Sequence, residues 1–178
     1  DGLVTGVQTC ALPILFNHFQ HLNLSADQET ALTKLEAFLD SATPVFILKG
    51  YAGSGKTTIL KGLVAYLNSV EKDFNLMAPT GRAAKVIREK TAQEAFTIHK
   101  SIYSYEDMVE VEEGDSFFYN YKIRNNTDVA GKIFIIDEAS MISDGKSEGE
   151  FFRFGSGHLL TDLITYTRVA TSDRKSVV

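Results

Sequence analysis

The apolar residues of the chain fall into short blocks whose spacing changes from one block to the next. Over 22–40, LNLSADQETALTKLEAFLD, Leu32, Leu35 and Leu39 recur at helical intervals, which predicts an amphipathic helix. Ser25 stands where an N-cap belongs, and Gln28 three residues on completes a capping box. SATP ends that helix before Pro44. VFILK (45–49) is apolar, rich in strand-forming residues and too short for a helix, so it predicts a buried strand. FNLMA (74–78) and KIFIIDEAS (132–140) read the same way. Between these blocks TTILKGLVAYLNSV and PTGRAAKVIREKT predict helices, and AFTIHKSIYSY (95–105) predicts a shorter one. Strands alternating with helices predict an α/β fold, a parallel sheet flanked by helices.

Residues 106–130 depart from that alternation. An acidic half and an aromatic-basic half meet at Gly114 and Asp115, which predicts a β-hairpin inserted in the core fold. Two roles are open for its aromatics Phe117, Phe118, Tyr119 and Tyr121. Alternate residues can pack one face of the hairpin on the domain, or the rings can stack on nucleic-acid bases. Beyond the third strand, GKSEGEFFRFGSG reads as loop and HLLTDLITYT as a short helix.

Composition narrows the class. The 178 residues suffice for one domain with a real core. No apolar run is long enough to span a membrane, and the start lacks the basic leader of a signal peptide, so a cytoplasmic enzyme domain is expected. The net charge of −5 gives no overall basic footprint for nucleic acid, although a local groove can be basic on an acidic protein. Cys10 is the one cysteine, which excludes a disulfide framework and a cysteine-rich metal site. His18, His21 and His158 have no partners at metal-ligand spacing.

The two ends stand apart from this pattern. DGLVTGVQTCALPI (1–14) and DRKSVV (173–178) resemble translated sequencing-library adapters, and DNA encoding ALPI and DRKS can be reverse complementary. The expected organisation is therefore an authentic segment over 15–172, a partial ATPase motor domain with the hairpin near 106–130.

Chemistry concentrates in two places. Gly50-x-x-x-x-Gly55-Lys56-Thr57 matches the phosphate-binding loop in full, after a predicted strand and before a predicted helix. Its small residues, Gly50, Ala52, Gly53, Ser54 and Gly55, let backbone N–H groups wrap a phosphate, with Tyr51 and Thr58 completing the loop. The following helix N-terminus favours an anion. Lys56 supplies a point charge to the β and γ phosphates, and the Thr57 hydroxyl reaches Mg²⁺. Asp137 and Glu138 end the IFII strand. Beside a phosphate loop, Asp137 is placed to hold Mg²⁺ and Glu138 to activate water as general base, so ATP and Mg²⁺ are the expected cofactors.

GYAGSGKTT, APTGRAAK (78–85), TIHK (97–100) and IIDEASMIS (135–143) occur in that order. Together they resemble the first, RecA-like motor domain of superfamily 1 DNA helicases, in the RecD/Dda-like branch. The resemblance runs from about Leu22 to Ser143. It implies that Gln28 recognises adenine, a role that competes with its capping box. It implies that Pro79, Thr80, Arg82 and Lys85 lie along single-stranded DNA, and that Thr97 and His99 belong to the next DNA-contacting motif. Another P-loop ATPase of AAA type would explain the loop and the Asp-Glu pair, but not APTGRAAK or TIHK in their places. A nucleotide-binding module without unwinding activity is the further alternative. The helicase pattern continues with a Gly-Asp-x-x-Gln motif and a second motor domain bearing an arginine finger, and neither is found before DRKSVV. The expectation is an incomplete sheet, with a gap between the 45–49 and 132–140 strands, and weak ATP turnover by this chain alone.

Overall fold

A computed structural model describes residues 15–113, 116–147, 149, 151–168 and 175–178. Five strands form a parallel sheet in the order β1-β8-β6-β2-β3. They are β1 (Val45–Phe46), β2 (Phe74–Ala78), β3 (Ala95–Thr97), β6 (Ile133–Ile136) and β8 (Lys175–Val177). Every residue of β6 is buried, as its unbroken IFII run requires of a central strand. The helices are α1 (Ala26–Asp40), α2 (Lys56–Ser69), α3 (Gly81–Thr91), α4 (Ile98–Ile102) and α5 (Leu159–Thr167). Leu32, Leu35 and Phe38 of α1 and Ile59, Leu63 and Leu67 of α2 meet Leu76, Ile133 and Ile135 of the sheet in the main core. On α1 the buried stripe takes Phe38 in preference to Leu39, which is only partly covered.

A second, smaller sheet carries β4 (Tyr103–Glu113), β5 (Ser116–Ile123) and β7 (Phe152–Phe154) in the order β4-β5-β7. β4 and β5 are the antiparallel arms of the expected hairpin; its turn at Gly114 and Asp115 lies outside the described residues. The small sheet is fastened to the domain by buried polar bonds. The Tyr103 hydroxyl donates to Asp162 Oδ2 at 2.7 Å, and Ser156 gives Asp162 its backbone N–H and its hydroxyl. Asp162 is almost fully buried, so these donors offset the cost of burying its carboxylate.

Four segments differ from expectation. The 45–49 strand shortens to Val45–Phe46 and is not buried, because β1 lies at the edge of the sheet. The 95–105 segment is a short edge strand, one turn of helix and the start of β4, because Ala95–Thr97 finds a backbone partner along β2. FRF in the expected loop is a strand, paired in parallel with β5 and stacked on its rings. The mid-sheet gap is filled: Lys175–Val177 lies between β1 and β6 and pairs with both. Ser176 N donates to Pro44 O at 2.9 Å, Val178 N to Phe46 O at 2.8 Å and Leu48 N to Val178 O at 2.7 Å. β1 and β6 present unmet donors and acceptors at about strand spacing on either side of the slot. Ladder pairing reads backbone rather than side chains, so a short extended segment with one apolar residue facing the core satisfies it.

Candidate active site

The loop between β1 and α2 is shaped by local sterics. Gly53 and Gly55 adopt φ of +79° and +89°, where a side chain would be strained. A Cβ on Gly55 would also collide with the Gln28 side-chain amide, and one on Gly50 with the Ser54 hydroxyl. The positive φ favours glycine at 53 and 55 apart from any phosphate, whereas the close approaches at 50 and 55 are to side-chain ends that can move. Lys56 opens α2, and its Nζ donates back to the carbonyls of Gly50 at 2.6 Å and Tyr51 at 3.0 Å. The ammonium is thereby held over the concave side of the loop.

Asp137 and Glu138 follow β6, two strands from β1 across β8. Asp137 N donates to Met77 O at 3.0 Å, which fixes the strand end, and Asp137 Oδ1 accepts the Glu138 N–H at 2.9 Å. Glu138 has φ +55°, an uncommon conformation for a non-glycine residue, and its side chain is exposed. Lys56, Asp137 and Glu138 line one cleft of about 630 Å³ with Gly50, Ala52 and Ser140. A cation from the loop and two carboxylates from the end of β6, one strand further in, therefore face the same space. The donor set fits a nucleotide phosphate with its metal: backbone N–H groups and Lys56 for the anion, Asp137 for the cation. Thr57 is placed differently, in the wall of a second cleft with His18 and Lys61. Leu48, Lys49 and Val178 also line the main cleft; for Lys49 the only sequence signal is its place just before the loop.

Gln28 completes the expected capping box and reaches the phosphate loop as well. Its Oε1 accepts the Ser25 N–H at 2.9 Å, and the Ser25 hydroxyl accepts the Gln28 N–H at 3.3 Å, closing the capping box. Its Nε2 donates to the Ser54 carbonyl at 3.0 Å.

The four positions along APTGRAAK lie at the start of α3. Thr80 is its N-cap, with Oγ1 accepting the Ala83 N–H at 3.2 Å, and Pro79 precedes it half-buried. Arg82 and Lys85 are exposed on the helix, and Lys85 makes a solvent-exposed 3.7 Å contact with Glu89. Thr97 is the N-cap of α4 and accepts the Lys100 N–H at 3.2 Å. His99 is half-buried, edge-on to Phe154 at 5.1 Å and tilted on Tyr103 at 5.5 Å. Desolvation in that aromatic pocket holds its pKa below the ordinary histidine value.

A parallel sheet with a glycine loop between β1 and α2 and an acidic pair after β6 defines a P-loop nucleotide-binding fold. Residues 23–149 match the AAA domain family, and the chain belongs to that family. An uncharacterized protein of Methanocaldococcus jannaschii is 36% identical over 55% of this chain and 9% of its own length. DNA helicase B of Mus musculus is 26% identical over 68% of the chain and 13% of its own length. The ATP-dependent RecD2 DNA helicase of Deinococcus radiodurans is 32% identical over 43% of the chain and 10% of its own length. The chain thus spans about a tenth of the curated relatives it matches. The similarities to two DNA helicases agree with the superfamily 1, RecD-like motor-domain resemblance carried by the four motifs.

Proposed function

We propose that this domain is the ATP-hydrolysing motor of a DNA helicase, and that the protein it belongs to couples hydrolysis to movement along single-stranded DNA and to unwinding. The observation that carries the reading is the shared cleft of Lys56, Asp137 and Glu138. The loop amides and Lys56 bind the phosphates; Asp137 would hold Mg²⁺, joined by Thr57 once its hydroxyl turns from the second cleft, and the ion would supply charge neutralisation when bound. The exposed Glu138 carboxylate takes the proton of the attacking water. Gln28, tied to the Ser54 carbonyl, orients the loop, and adenine recognition is its proposed further role. Pro79, Thr80, Arg82, Lys85, Thr97 and His99 follow the DNA backbone, which makes binding salt-dependent and tolerant of sequence.

The test is ATP turnover by the full-length protein with and without single-stranded oligonucleotide. Stimulation by the oligonucleotide supports the motor. Turnover that ignores DNA overturns it in favour of another P-loop ATPase.

A further inference from the structure

The small sheet presents a face that the nucleotide site does not use. In β4 and β5, directly paired residues share a face, so Met108 with Tyr121, Glu110 with Tyr119 and Glu112 with Phe117 all project the same way. β7 extends that face by pairing Phe152 with Tyr119 and Phe154 with Tyr121. The rings form a continuous ladder. Tyr119 and Phe152 stack at 5.9 Å, Tyr121 and Phe152 at 6.1 Å, and Tyr121 and Phe154 at 4.9 Å. Phe117 and Phe152 are 43% and 51% exposed, so the ladder is open to solvent at that end, while Tyr121 and Phe154 at the other end pack on the domain. An apolar aromatic surface of this kind marks a binding surface.

Its charges say what it binds. Glu110 and Glu112 are exposed on the same face, interleaved with the rings. Carboxylates beside open π-faces repel a phosphate backbone and attract a cation that can also lie flat on a ring. The guanidinium does both, through stacking and a planar fork matched to carboxylates. The opposite face of the same sheet shows this contact within the chain: Arg153 lies over the Phe118 ring at 3.5 Å.

We propose that the ladder of Phe117, Tyr119, Tyr121 and Phe152, with Glu110 and Glu112, docks an arginine-bearing protein segment. The alternation along β5 sets the spacing, since residues two apart on one face lie about 6.5–7 Å from each other. An extended segment with arginines at every second position matches it. This inference is independent of the ATP site.

The experiment is fluorescence anisotropy of the 178-residue chain with a labelled extended peptide carrying four alternating arginines. The comparisons are the same peptide with citrulline at those positions and a labelled oligo-dT. The expected result is arginine-peptide binding that weakens at least fivefold with citrulline, with the paired change Glu110→Gln and Glu112→Gln, and with Phe152→Leu. All three substituted side chains are exposed, and circular dichroism checks that the variants fold. Absent peptide binding, or binding indifferent to these changes, overturns the proposal. So does oligo-dT binding that is lost in Phe152→Leu and strengthened in the glutamine variant, which assigns the ladder to bases.

Discussion

The Gln28 side-chain amide donates to the Ser54 carbonyl across 26 residues of sequence, joining the first turn of α1 to the phosphate loop. The same amide closes the capping box with Ser25. Cap and loop are therefore one hydrogen-bonded unit, so the capping box does not keep Gln28 away from the phosphate loop.

Substitutions at the two ends of this unit separate its parts. Ser25→Ala removes the cap and leaves the tie to Ser54, so stability falls by about 1 kcal/mol while nucleotide affinity is unchanged. Gln28→Ala removes both, and nucleotide affinity falls with stability. Denaturant unfolding and titration with a fluorescent ATP analogue read the two effects. Equal nucleotide affinity in both variants would remove Gln28 from the site.

The strand in the mid-sheet slot makes a second prediction. Val177 is 6% exposed and belongs to the main core beside Leu60, Leu63 and Ile135. Val177→Ala costs about 2 kcal/mol from lost burial and the cavity left behind. Val177→Asp places an unpaired charge in the core and abolishes cooperative unfolding. A melting temperature unchanged by Val177→Asp would show that β8 does not hold this slot in solution.

His99 gives a pH dependence with a definite sign. Burial lowers its folded pKa, so the unfolded chain binds this proton more readily. The stability held by neutral His99 is fully present above the ordinary value of about 6.5 and is lost as pH falls from there toward the lowered folded value. His99→Phe keeps the ring packing on Phe154 and Tyr103 and flattens that part of the profile. Chemical denaturation of both proteins from pH 5 to pH 8, a span of roughly the histidine range, checks it. Parallel profiles would contradict the assignment.

What the sequence made legible was local in origin. The capping box at Ser25 and Gln28, the glycine loop, the buried strand of β6 and the two arms of the hairpin each rest on neighbours in the chain, and each is present. What it hid depends on distant partners. Phe152–Phe154 is three residues between glycines, and it becomes a strand because β5 offers an edge and stacking rings. Ala95–Thr97 is extended because β2 lies beside it, although its residues continue smoothly into a helix. Lys175–Val177 carries no strand signal of its own, and the slot between β1 and β6 supplies one. The Tyr103–Asp162 bond spans 59 residues, and no periodicity reports it.

The most direct test of the proposed motor is Glu138→Gln in the full-length protein, with ATP binding and single-stranded-DNA-stimulated turnover measured on the same preparation. A general base contributes about 10²–10⁴ in rate, so turnover should fall by at least about a hundredfold while ATP affinity stays within about twofold of the parent. Turnover at the parental rate, with ATP bound equally well, would contradict Glu138 as the base and with it the chemistry assigned to this cleft.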